Sequence, residues 1–165
     1  MTKAVLAKSV LVSATVDEVW RAWTTVDGIR RFFAPDARLE IRPHGKYEIL
    51  FDPEEPEGQK GAEGCTVLSH VPMKMFSFTW GAPPLFPKSR KEIAQWVVLF
   101  FDEASENQTL VRLQEFGWKD DDEGRQVYDY FDKAWGLVLA RLAYSFTNGP
   151  IDWAHPWRPD ASDSS

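Results

Sequence analysis

The strongest constraint on this chain is where its hydrophobic period changes, which happens twice. Apolar residues recur at three- and four-residue intervals over Val16 to Trp23, largely at two-residue intervals from Arg38 to Trp118, and at three- and four-residue intervals again up to Phe146. A chain that opens on a strand and short helical pieces, continues as strands and closes on one long helix has a large sheet face to bury. The last helix is the one element big enough to cover it. A continuous antiparallel sheet of that length curls. The expected class is therefore α+β: a curved antiparallel sheet of about six to seven strands wrapped around a long C-terminal helix, with two short helices between strands 1 and 2.

Read in order, Val5 to Val12 is aliphatic and β-branched and predicts a strand. Thr15-Val16-Asp17-Glu18 is a capping-box pattern, and Val16, Val19, Trp20 and Trp23 then form one helical stripe. Asp27-Gly28 breaks it, and Ile29, Phe32 and Phe33 predict one more short turn before Ala34-Pro35. Arg38 to Arg42 and Lys46 to Phe51 alternate as a hairpin with one wet face. Asp52 to Gly61 reads as a solvated acidic loop. In the strand pair Gly64 to Val71 and Met75 to Trp80, the residues Phe76, Phe78 and Trp80 share one face.

Ala82 to Pro87 is a proline-stiffened loop, followed by strands over Ile93 to Asp102 and Thr109 to Trp118. In the second of these Glu115 continues the apolar row of Val111 and Leu113. The acidic run Asp120 to Glu123 suits a helix N-terminus, and a helix of about six turns reaches Asn148, stopped by Gly149-Pro150. Its apolar side is Val127, Phe131, Trp135, Val138, Leu139, Leu142 and Phe146. Residues 1–149 thus read as a single domain. Residues 150–165 read as a tail that is polar apart from Trp153 and Trp157 and is expected to be loosely ordered.

The 165 residues carry 19 basic and 25 acidic side chains, a net charge of −6 with no long basic run, which argues against nucleic acid or an anionic membrane as partner. No stretch approaches the ~18 apolar residues of a membrane span. The single cysteine, Cys65, cannot form an internal bridge and fits a reducing compartment, so the expected location is the cytoplasm. His44, His70, His155 and Cys65 have no metal-ligand spacing; on strand parity Cys65 and His70 face opposite ways, and a shared site would need a bulge. Nucleophile elbows, phosphate-cradling loops and dinucleotide fingerprints are missing, so neither metal nor cofactor is expected.

Four patterns carry a resemblance. They are Val16-x-x-Val19-Trp20-x-x-Trp23, Arg42-Pro43-His44-Gly45-Lys46-Tyr47, Phe76-Ser77-Phe78-Thr79-Trp80 and Ala134-Trp135-x-x-x-Leu139-x-x-Leu142. In this order, across Val5 to Phe146, the chain resembles the bacterial homologues of the heat-shock-protein-ninety ATPase activator. Those belong to the START-like, birch-pollen-allergen-like helix-grip superfamily, SRPBCC. The resemblance implies a helix-grip fold that binds hydrophobic ligands and does not by itself imply co-chaperone activity. The chain departs from the family at His44, where members usually carry a second turn glycine, and at Ala134, where they carry glycine. The proline-rich loop and the Trp-bearing tail are particular to this chain.

Eight Trp and eleven Phe raise the question of plain core against cavity wall. One helix cannot cover a curled sheet of about seven strands edge to edge, so some inward rings should face a void or a ligand. The candidate cavity residues are Tyr47, Ile49, Phe51, Phe76, Phe78, Trp80, Trp96, Leu113, Glu115, Phe131, Trp135 and Leu139, with His70 as a further candidate lining residue. Glu115 is the weak catalytic candidate, because an inward carboxylate in apolar surroundings has a raised pKa. The leading expectation is a binding protein for a small aromatic or lipid-like molecule. A cyclase- or hydrolase-type enzyme using Glu115 stays open, as does a co-chaperone or interaction module with a protein partner or a second copy of the chain.

Overall fold

Each change of period becomes a change of element. The computed structural model describes residues 4–159. β1 (Leu6–Val12) leads into α1 (Val16–Thr24) and α2 (Val26–Phe32), then β2 (Asp36–Leu39), β3 (Tyr47–Leu50), β4 (Val67–Val71) and β5 (Met75–Trp80). After α3 (Pro87–Glu92) come β6 (Gln95–Ser105), β7 (Gln108–Phe116) and α4 (Asp122–Asn148). The Thr15 capping box forms as its sequence predicts, with the hydroxyl accepting from the Glu18 amide at 3.2 Å and the Glu18 carboxylate accepting from the Thr15 amide at 3.1 Å.

Strands β1-β7-β6-β5-β4 make a continuous antiparallel sheet, and β2-β3 form a separate ribbon. Two isolated bridges, Lys46 with Thr66 and Leu50 with Gly61, join the ribbon to the segment that leads into β4. Backbone bonds from Tyr47 to the Cys65 carbonyl (2.9 Å) and from Ala62 to the Ile49 carbonyl (2.8 Å) close the joint. Gly61 is required there: its φ is 157°, and a Cβ would run into the Ile49 carbonyl. His44 takes a left-handed φ of 67°, a conformation that favours glycine.

α4 spans 27 residues, about 40 Å at 1.5 Å per residue. It is longer than the six turns expected because it begins inside the acidic run, where the Asp121 carboxylate caps the Gly124 amide at 2.7 Å. The α1–α2 pair plugs one end of the space between α4 and the sheet. Trp23 packs edge-on to Phe32 and Phe33, with ring centres 4.9 and 5.5 Å apart, and its carbonyl accepts from the Tyr47 hydroxyl at 2.8 Å. Trp20 meets Phe76 and Phe101 edge-on.

Three expectations need correction. β3 has no wet face: all four of its residues are buried, and Glu48 is held by an ion pair to Arg38 at 2.9 Å and by the Gly64 amide at 2.7 Å. The proline-rich segment runs straight into a helix, α3, which uses Pro87 at its first turn and stops at Ile93 in a left-handed conformation. The tail through Pro159 is packed rather than loose. Ile151 is buried and its amide donates to the Arg31 carbonyl at 2.9 Å. The Trp153 indole donates to the Arg30 carbonyl at 2.7 Å, and Trp157 stacks on Tyr144 with centroids 4.1 Å apart. Residues 160–165 lie outside the described residues.

Candidate functional site

Strand parity sends Phe76, Phe78 and Trp80 of β5, Gln95, Val97 and Leu99 of β6, and Val111, Leu113 and Glu115 of β7 toward α4, and all nine are buried. At the end covered by α1 and α2 these side chains meet solid packing. At the other end a cavity of about 320 Å³ opens between α4, the β3–β4 loop and the Ala82 to Pro87 segment. Its aromatic walls are Phe33, Phe51, Trp80, Tyr130, Phe131 and Trp135. Ala62, Gly81, Pro83, Pro84 and Ala134 contribute little bulk, which leaves the space unfilled. Trp80 and Trp135 lie 5.2 Å apart, and Phe33 sits 5.7 to 5.9 Å from Phe51, Trp80 and Trp135.

Of the expected cavity residues, Phe51, Trp80, Phe131 and Trp135 line this space. Tyr47, Ile49, Phe76, Phe78, Leu113 and Leu139 are buried in the core beside it and do not border it. Trp96 requires correction: it is 40% exposed on the outer face of β6, stacked on its cross-strand neighbour Phe116 at 5.5 Å, while Gln95 and Val97 take the inward positions. His70 is likewise outside the lining and packs against Trp20 at 6.2 Å. A register shift does separate Val67 from His70 in β4, yet among the described residues no group of three His, Cys, Asp or Glu side chains is placed to hold a metal ion. Burial pushes the Cys65 thiol up to about 12, so it is not a thiolate at neutral pH.

Glu115 is fully buried behind Trp135. The indole N–H of Trp135 donates to Glu115 Oε1 at 2.7 Å, and Oε2 has no partner among the described residues. Desolvation raises this carboxyl to about 8, against the opposing pull of the Trp135 hydrogen bond, so it keeps its proton at neutral pH. Gln95 Oε1 and the Trp80 indole nitrogen are also buried without partners among the described residues, and their residues face each other across β5 and β6. Glu115 does not border the cavity; Trp135 does, and stands between them.

Sequence reasoning missed the polar half of the site. Asp52 and Gln59 of the β3–β4 loop, Arg90 of α3, Arg141 of α4 and Arg158 of the tail also line the cavity. Their signal was weak because three of the segments concerned read as loop or loose tail.

A curved antiparallel sheet gripping one long C-terminal helix, with a ligand-sized space beneath that helix, defines a helix-grip protein. The family described as "Activator of Hsp90 ATPase homolog 1-like protein" matches residues 13–146, and the chain belongs to that family. No curated protein matches it. Among solved structures it is similar to the Aha1 dimer from Colwellia psychrerythraea, at 17% identity and a TM-score of 0.66 over 89% of this chain and 98% of that one. A Mesorhizobium loti protein gives 16% identity and a TM-score of 0.68 over 90% of this chain and 100% of its own. A Staphylococcus saprophyticus protein gives 16% and 0.65 over 90% and 96%. At such identities the likeness is one of fold. Among the described residues no helix is long and apolar enough to cross a membrane.

Proposed function

We propose that this protein binds a small, largely apolar molecule in the cavity between α4 and the sheet. The observation that carries the reading is the unfilled space of about 320 Å³ walled by six aromatic residues. Natural ligand sites begin at about 300 Å³, and an engineered hole of about 150 Å³ accepts benzene, so this space suits a body of one or two rings. The neutral probe 2-naphthylmethanol should quench Trp emission and raise the melting temperature. Ala134→Phe, which fills the space from α4, should abolish both responses. A probe that does neither in the unsubstituted protein refutes the reading.

A cyclase- or hydrolase-type reaction at Glu115 is the second reading, supported by an acid that keeps its proton at neutral pH. It takes second place because Trp135 separates the carboxyl from the cavity. In that case Glu115→Gln should abolish turnover of a bound substrate while leaving its affinity intact; turnover that survives the change removes Glu115 from consideration.

A further inference from the structure

The mouth of the cavity carries positive charge that its walls do not balance. Arg90, Arg141 and Arg158 line it against a single carboxylate, Asp52. Arg90 is already occupied: it pairs with Glu63 at 3.0 Å and donates to the carbonyls of Ala82 and Gly58. Arg141 and Arg158 make no ion pair with the described residues, and Asp52 lies beyond ion-pair reach of both.

Arg141 is only 9% exposed. Its Nε donates to the Trp157 carbonyl at 2.9 Å and its guanidinium lies over the Trp153 ring at 5.5 Å, so the docked tail fixes its direction. The two terminal nitrogens bond to nothing among the described residues, and the fork they form is free to take a bidentate acceptor. Burial, and then the facing charge of Arg158, hold the Arg141 pKa below the ordinary arginine value. Two like charges beside an apolar wall are costly, and an anion placed between them removes the cost. The arrangement depends on residues after 146, where the family match ends: Arg158 lies there, as do Trp153 and Trp157, which orient Arg141.

We propose that the ligand is an organic carboxylate, with an apolar body of one or two rings against Phe33, Phe51, Trp80 and Trp135 and its carboxylate at the mouth between Arg141 and Arg158. The proposal rests on the cavity reading above and adds the chemical class of the ligand.

The test compares 2-naphthoate with 2-naphthylmethanol, alike in shape and different in charge, by Trp quenching at pH 7. A charged hydrogen bond contributes about 1.5–3 kcal/mol, so naphthoate should bind at least about ten-fold more tightly than the alcohol. Added salt should shrink that preference. Arg158→Gln, a change at an exposed position, should reduce it, and Arg141→Gln should remove it. Equal affinity for the two probes, tighter binding of the alcohol, or a preference that survives Arg158→Gln undiminished overturns the proposal and leaves the cavity reading standing. Failure of both probes overturns the two together.

Discussion

The two ends of the layer between α4 and the sheet are lined by the same kinds of side chain and come out differently. At the α1–α2 end Tyr47, Phe76 and Phe78 pack with Trp20, Trp23 and Phe32, several of the rings edge to face. At the other end Trp80, Phe131 and Trp135 meet small or backbone-only cover from Gly61, Ala62, Gly81, Pro83, Pro84 and Ala134, and space is left. An inward aromatic row is therefore not in itself the mark of a binding site. The segment lying opposite decides whether the rings become filler or wall.

The comparison is broken most directly by removing a ring from the closed end. Trp23→Ala should cost about 3–5 kcal/mol in a urea titration, because the surrounding rings are too interlocked to collapse into the hole. A loss under 1 kcal/mol would mean that this end is no better packed than the other.

Comparable in size is the buried acid at the back of the cavity. Glu115 ionises near 4.5 when unfolded and at about 8 when folded, so between those values the folded chain holds the extra proton. Its contribution is complete below pH 4.5, declines as pH rises, and is lost above about 8. Glu115→Gln should flatten that decline and make the protein more stable at pH 8.5 by on the order of 4–5 kcal/mol. Equal slopes for the two proteins between pH 5 and 8 would place the carboxyl in contact with water.

A matched pair of enlargements sharpens the contrast further. Ala22 is buried in α1 at the closed end and Ala134 borders the cavity. Ala22→Phe should destabilise by about 1–3 kcal/mol or more, whereas Ala134→Phe should stay within about 1 kcal/mol of the starting protein. Equal penalties would show that the cavity has no spare volume. The smallest effect belongs to Phe51→Ala, at the rim and 40% exposed, where thermal unfolding should report a loss under about 1 kcal/mol.

What could be seen in the sequence was whatever local periodicity determines. The Thr15 capping box, the shared face of Phe76, Phe78 and Trp80, the inward phase of Glu115 and the terminal helix all follow from short-range spacing. Trp96 has the aromatic character of an inward residue, but the inward parity of Val97 and Leu99 turns it outward. A cross-strand partner, Phe116, stabilises it on the outer face. Glu48 has the polarity of a surface residue and is buried because Arg38 and the Gly64 amide reach it from distant parts of the chain. The cationic mouth was invisible for the same reason: Arg90, Arg141 and Arg158 are far apart in sequence, and the docking of the tail brings them together.

The joint between the ribbon and the main sheet has a mechanical consequence. Five strands are stitched rung by rung, while β2 and β3 are tacked on by two bridges and a few backbone bonds. The loop leaving that joint contributes Phe51, Asp52, Gln59, Gly61 and Ala62 to the cavity wall. A guest bound as proposed would enter by a small parting along this sparsely bonded seam, with the rest of the fabric left uncut.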